Sequence, residues 1–274
     1  MMISHDGSLG DLVYHSHFAV ELSEALSDPI EDFILQTDVK MAWKVPNHPY
    51  VDVNLTRGAA EFLKPFLETC KSFKRVSISD SIPDGCVNIS RFRTLPLNFF
   101  SGDIREWPYE LAALHLPKDF SRVLFNVSAD GAFNGRIGLV YTERYNNVKL
   151  DLSCLAPFKE KFVFFGLPRE HSLFEKQFFK VEYAPVKDAL EFAQLAKGCR
   201  VVVGNQSGLF SILEEVKANR ILLPAQFQNY QRNGYNYAVP GPCNVICCGG
   251  WWENCSTSDK LVKVLKGVLD GKDI

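Results

Sequence analysis

Apolar positions along the chain switch repeatedly between a strand-like and a helix-like period. The clearest unit spans residues 199–225. Residues 200–203 form a short β-branched run, and Gly204-Asn205-Gln206-Ser207-Gly208 is a polar turn. Leu209, Phe210, Ile212, Leu213 and Val216 then recur at helical spacing, and residues 221–223 read as the next strand. The N-terminus repeats the unit. Residues 1–4 are a short strand, residues 5–10 a polar, Gly-containing loop, and Leu12, His15, Ala19, Leu22 and Leu26 a helical stripe with Ser8 as its cap.

The same alternation fills the rest of the chain. Strands are predicted at 32–39, 75–79, 87–89, 123–127, 137–142, 162–166, 179–182 and 244–248. Helical segments are predicted at 56–70, bent or divided at Pro65, at 104–116, 152–158, 170–177 and 185–197, and at 258–269. Residues 226–237, rich in Gln, Asn and Tyr, read as a long loop. Asp130 to Arg136, DGAFNGR, reads as a linker. Alternating strands and helices in two halves predict an α/β protein of two Rossmann-like, doubly wound parallel-sheet domains, residues 1–130 and 131–274. Ligands of such sheets gather at the carboxyl ends of the strands, in the cleft between the domains.

Composition narrows the function classes. With 274 residues the chain suits two cores. A net charge of −2 without a like-charged block gives no footprint for nucleic acid. No apolar run approaches the ~18 residues of a membrane span, and the N-terminal MMISHDGSLGD lacks the apolar core of a signal peptide, so a cytoplasmic location is expected. Eight cysteines are expected as thiols. Four of them, Cys243, Cys247, Cys248 and Cys255, cluster, but not at zinc-ligand spacing. No metal or cofactor is expected.

A Gly-framed polar turn that opens a helix presents backbone N–H groups and the positive end of the helix dipole, which suits an anion. Set beside the N-terminal loop, this turn carries a resemblance. Gly204-Asn205-Gln206-Ser207-Gly208 is similar to the Gly-Asn-Asp-Ser/Thr-Gly loop of the ADP-heptose:lipopolysaccharide heptosyltransferases, family 9 glycosyltransferases of GT-B fold. Gly7-Ser8-Leu9-Gly10-Asp11-Leu12-Val13 resembles that family's first loop, and residues 142–149 (TERYNNVK) a loosened form of its Arg/Lys segment. Two positions differ: Gln206 replaces the loop Asp, and Leu209-Phe210-Ser211 follows where the family has a His.

The resemblance implies transfer of a sugar from a nucleotide-activated donor, an ADP-sugar foremost, to a glycan or lipid-linked hydroxyl acceptor, with inversion and without a metal. It implies Asp11 as catalytic base. Gly204 through Gly208, with Thr142, Arg144 and Lys149, would hold the donor, while Gly7, Ser8, Gly10 and His5 would line the acceptor side. Two alternatives remain: a non-catalytic binding protein of the same fold, and a nucleotide-sugar epimerase. Other residues have plainer expectations. His15 packs in the core, Glu214 and Glu215 face solvent, Trp251 and Trp252 pack or stack, and Asn229, Tyr230 and Arg232 are placed for sugar contacts.

Overall fold

The computed structural model describes residues 1–41, 53–91, 104–112, 116, 119–142, 150–224, 227–232, 235–240 and 252–271. The first half builds one parallel sheet. β1 (Met2–His5) leads through α1 (Leu9–Leu26) to β2 (Asp32–Gln36), and α2 (Arg57–Leu67) leads to β3 (Val76–Ser79). β4 (Val87–Asn88) returns to the far side of β1, so the strand order is β3-β2-β1-β4. Thr56 caps α2 by accepting from the Ala59 amide, and Pro65 sits in its last turn without breaking it. A 3-10 turn at Ile104–Glu106 and α3 (Trp107–Ala112) follow, with Pro108 in the first turn, where its missing N–H costs nothing.

The second half builds the larger sheet. β5 (Ile137–Val140), a 3-10 segment (Leu152–Lys161), β6 (Phe162–Phe165), α4 (Pro168–Gln177), β7 (Glu182–Tyr183), α5 (Ala189–Gly198), β8 (Val201–Asn205), α6 (Gly208–Glu215) and β9 (Arg220–Leu223) follow in order. β10 (Phe227–Arg232), β11 (Tyr235–Pro240), β12 (Trp252–Asn254) and α7 (Ser258–Leu269) complete the described chain. The sheet order is β12-β9-β8-β5-β6-β7, and every pairing in it is parallel. β5, β6, β8 and β9 are buried along their whole length, which is why, apart from Arg220 and Asn205 at strand ends, their sequences are apolar runs rather than alternations.

Two expectations are corrected. Residues 123–127 form no strand: among the described residues their β-pairing is limited to an isolated antiparallel bridge between Cys70 and Phe125. Phe125 stacks on Phe66 at 4.4 Å between centroids, so packing rather than a ladder explains the apolar run. Within residues 226–237, expected as loop, β10 pairs antiparallel with the start of β11, and Tyr230 is opposite Tyr237. Asn233-Gly234 between the two strands is a strong two-residue turn signal that the sequence did carry. The outer strand of the sheet is β12; the expected strand at 244–248 lies outside the described residues, with Cys243, Cys247, Cys248 and Trp251. Cys70, Cys86, Cys154, Cys199 and Cys255 are free. Among the described residues, no helix is long and apolar enough to cross a membrane.

The stripe expected on α1 is only part of its buried surface. From Asp11 to Leu22 every residue of α1 is buried, because the helix lies between the first sheet and α6.

Candidate functional site

Two helix N-termini meet where the halves join. A Cβ built on Gly10 would stand 3.7 Å from Gly208 Cα, and one on Gly208 only 2.7 Å from Leu9 Cδ2. The helices then run in the same direction. Tyr14 Oη donates to Glu214 Oε2, and one turn further His17 Nε2 pairs with Glu215 Oε2 at 2.8 Å. Side-by-side parallel helices add their dipoles, so both positive ends face the same space. That space is a cavity of about 380 Å³ lined by Ser8, Leu9 and Gly10 of α1 and by Ser207, Gly208 and Leu209 of α6. Its other walls come from the ends of β5 (Val140 to Thr142) and β6 (Gly166, Leu167), from Glu170 and Tyr183, and from Ala59 and Phe62 of α2.

Each end is built by its own sequence. Ser8 caps α1, and Asp11 in its first turn accepts from the Ser8 amide at 2.8 Å and the Ser8 hydroxyl at 2.9 Å. Gly7 is required here, since a Cβ would stand 2.3 Å from His5 Cε1. The Gly7 amide donates to His5 Nδ1 at 2.8 Å. An obligate donor at Nδ1 places the His5 proton on Nε2, which therefore donates to His15 Nδ1 at 2.8 Å. His5 and His15 are fully buried, so this pair shapes the loop.

At the other end, the Asn205 amide grips the end of β5. Its Oδ1 accepts from Thr142 N at 3.0 Å and its Nδ2 donates to Thr142 O at 2.6 Å. Gly204 lets β8 and β5 approach: a Cβ there would meet Val140 O at 3.0 Å. Ser207 caps α6 by accepting from the Phe210 amide at 3.2 Å. The first-turn amides of Gly208 and Leu209 are then donors without an intrahelical acceptor. Gln206 is 9% exposed, and its Oε1 has no hydrogen-bond partner.

Of the expected site residues, Ser8, Gly10, Thr142, Ser207 and Gly208 line the cavity. Among the described residues, His5, Gly7, Asp11, Gly204, Asn205 and Gln206 do not line it but hold the two loops that do. Arg144 and Lys149 lie outside the described residues. Glu170, Tyr183 and Phe62 were not anticipated. Glu170 Oε2 accepts from Leu167 N at 3.0 Å, and Tyr183 donates to Gly166 O at 3.1 Å while stacking on His171. Pro168 followed two residues later by Glu170 is a helix-start signal at the carboxyl end of a strand, which could have pointed to them.

Glu214 and Glu215 overturn the expectation of a solvated face: both are fully buried in the α1–α6 seam. Burial pushes the Glu214 carboxyl from the ordinary 4.5 up to about 8. Arg220, 3.9 Å away, and Tyr14 and Arg105 pull it down, while Glu215 adds to the rise. Desolvation exceeds the pull of one guanidinium at that distance. A raised carboxyl favours the protonated folded state. Its contribution to stability is complete below about pH 4.5 and is lost as pH rises through about 8. We therefore expect the melting temperature to fall across that window and Glu214→Gln to flatten the slope, as read by calorimetry. An unchanged slope would contradict the assignment.

No family model matches the sequence, and no curated protein matches it. Solved structures do. A family 9 glycosyl transferase from Veillonella parvula aligns with a TM-score of 0.57 at 12% identity, over 97% of this chain and 88% of its own. The Escherichia coli heptosyltransferase WaaC with ADP aligns at 0.57 and 11% identity, over 98% of this chain and all of its own. The E. coli ADP-heptose lipopolysaccharide heptosyltransferase II aligns at 0.52 and 15% identity, over 100% and 99%. With its two parallel sheets and the cavity at their junction, the chain has the GT-B fold seen in these family 9 glycosyltransferases.

Proposed function

We propose that this protein is a glycosyltransferase that takes its sugar from a nucleoside diphosphate donor bound in the α1–α6 cavity. The observation that carries the reading is the convergence of two helix N-termini on one cavity. In this reading the first-turn amides of α6 and the Ser207 cap face the diphosphate, and Thr142 borders it. Together the two helix ends supply about one positive charge, less than a diphosphate carries, so Lys149 or Arg144 completes the neutralisation. Glu170 is placed to accept from ribose hydroxyls, with Tyr183 and Phe62 as apolar wall for the base. The division into residues 1–130 on the acceptor side and 131–274 on the donor side belongs to the same proposal. ADP is the first nucleotide to test, because the solved relatives are named for ADP and ADP-heptose.

Transfer proceeds by one displacement with inversion. The acceptor oxygen bonds to the anomeric carbon as the bond from that carbon to the diphosphate oxygen breaks. The hydroxyl proton passes to Asp11, and no metal is assigned a role. Developing charge on the leaving diphosphate meets oriented amides that need no reorganisation. Asp11 is 3% exposed and engaged with Ser8, so the base role requires it to trade that bond for the acceptor hydroxyl. The same observation favours a second reading, a binding protein that holds the donor without transferring it.

A thermal-shift series separates the readings from a plain structural junction. Nucleoside diphosphates at about 100 times Kd would add about 2.7 kcal/mol of stability, nucleosides much less. No shift with any nucleoside diphosphate or nucleotide sugar would reject both. Stabilisation without any released nucleotide, across a panel of acceptors, would favour the binding protein.

A further inference from the structure

Among the described residues, the two faces of the first sheet are covered differently. Phe33, Leu35 and Val76 turn to the face packed by α1 and α2, so Asp32, Ile34, Arg75, Ser77 and Ser79 take the opposite face. Parallel sheets are ordinarily covered by helices on both faces. Here the crossover from β3 to β4, residues 80–86, contains no helix, although it must pass over β2 and β1. It leaves a groove of about 410 Å³ between the strands and Ser81, Ile82 and Pro83. The sheet itself separates this groove from the α1–α6 cavity.

The groove has a definite hydrogen-bonding pattern. Asp32 is 4% exposed. Its Oδ2 accepts from Arg75 at 2.6 Å and from the Ser77 hydroxyl at 2.9 Å, while Oδ1 has no partner. A buried carboxylate oxygen without a donor is costly. Ser77 has spent its proton on Asp32 and offers lone pairs. Ser79 Oγ accepts from the Ser81 amide at 3.2 Å, which leaves its proton to donate. Acceptor, acceptor and donor thus follow one another along β2 and β3, beside the apolar surfaces of Ile34, Ile82 and Pro83. The Arg75 side chain is 69% exposed and forms a movable rim.

We propose that this groove binds a neutral sugar unit of a glycan, at a site separate from the donor cavity and independent of the reading given for it. Sugar hydroxyls both donate and accept at adjacent positions, and the C–H face of the ring suits the isoleucine and proline wall. The alternatives match less well. An anion would face the unpartnered carboxylate oxygen, and a bare cation would face the Arg75 guanidinium. The volume is within the range of small-ligand sites.

Titration of the full ¹⁵N-labelled chain with millimolar maltotriose and mannotriose tests this. Amide shifts are expected at Ser77, Ser79 and Ser81 and not at Gly10 or Gly208. Ser79→Trp, which blocks the end of the groove four residues along β3 from Arg75, is expected to weaken binding at least tenfold at an unchanged melting temperature. Should that variant fold poorly, Ser79→Ala with Ser81→Ala removes the hydroxyls with little change of volume and is expected to weaken binding similarly. The proposal is overturned by the absence of shifts at those serines, by sugar binding that survives the substitutions, or by tighter binding of inorganic phosphate at the same residues. Shifts at these serines on dilution of the protein alone would assign the face to a second copy instead and overturn it equally.

Discussion

Gly208→Val is expected to weaken nucleoside diphosphate binding by about 10- to 100-fold. A Cβ at residue 208 would lie 2.7 Å from Leu9 Cδ2 and 3.0 Å from Leu9 Cβ. Rotation of the Leu9 side chain can relieve the Cδ2 contact, but the Cβ contact and the added valine methyls push α1 away from α6, because Leu9 is itself part of the α1 N-terminus. Overpacking of this kind costs about 1–3 kcal/mol, roughly one to two decades of affinity if the strain is relieved by separating the helix ends. Gly267→Ala in α7 is the matched control. Nothing lies within 4 Å of a Cβ there, so that variant should bind normally and gain up to about 1 kcal/mol from helix propensity. Calorimetric titration with ADP reads both. Wild-type affinity in Gly208→Val would mean that the juxtaposed helix ends do not form the diphosphate site.

Asp11→Asn is expected to lower turnover by about 10²–10⁴, the range for loss of a general base, with donor affinity kept. Asparagine is the informative substitution. Its amide oxygen can still accept from Ser8 N, so the start of α1 survives while the proton acceptor is removed. A purely structural Asp11 predicts the reverse: a loss of at most about 1–2 kcal/mol in stability, as for a helix cap, and unchanged turnover. Initial rates with saturating donor, set beside a melting curve, separate the two.

Local signals identified most of the architecture. Gly204 through Gly208 spans the junction of β8 and α6, with Gly204 and Asn205 ending the strand and Gly208 opening the helix, and Ser8 caps α1. The parallel core strands were visible as unbroken apolar runs such as residues 162–165. What escaped depends on contacts between distant segments. Glu214 and Glu215 look like a solvated end of α6 because their partners, Tyr14, His17 and Arg220, are remote or beyond the helix. Asn205 reads as a ligand contact until β5 is placed beside β8, where its amide is used on Thr142. Phe62 joins the cavity only because α2 packs near the second half. The groove on the first sheet follows from a crossover without a helix between β3 and β4, which is legible only once the strand order is known.

The central claim is that two helix N-termini together hold a diphosphate. Its most direct test is an amide-resolved titration of the ¹⁵N-labelled chain with ADP, AMP and adenosine. The account predicts large shifts of the Gly10, Gly208 and Leu209 amides with ADP, smaller ones with AMP and little change with adenosine. Equal responses to ADP and adenosine at these amides, or ADP shifts confined to other residues, would contradict it.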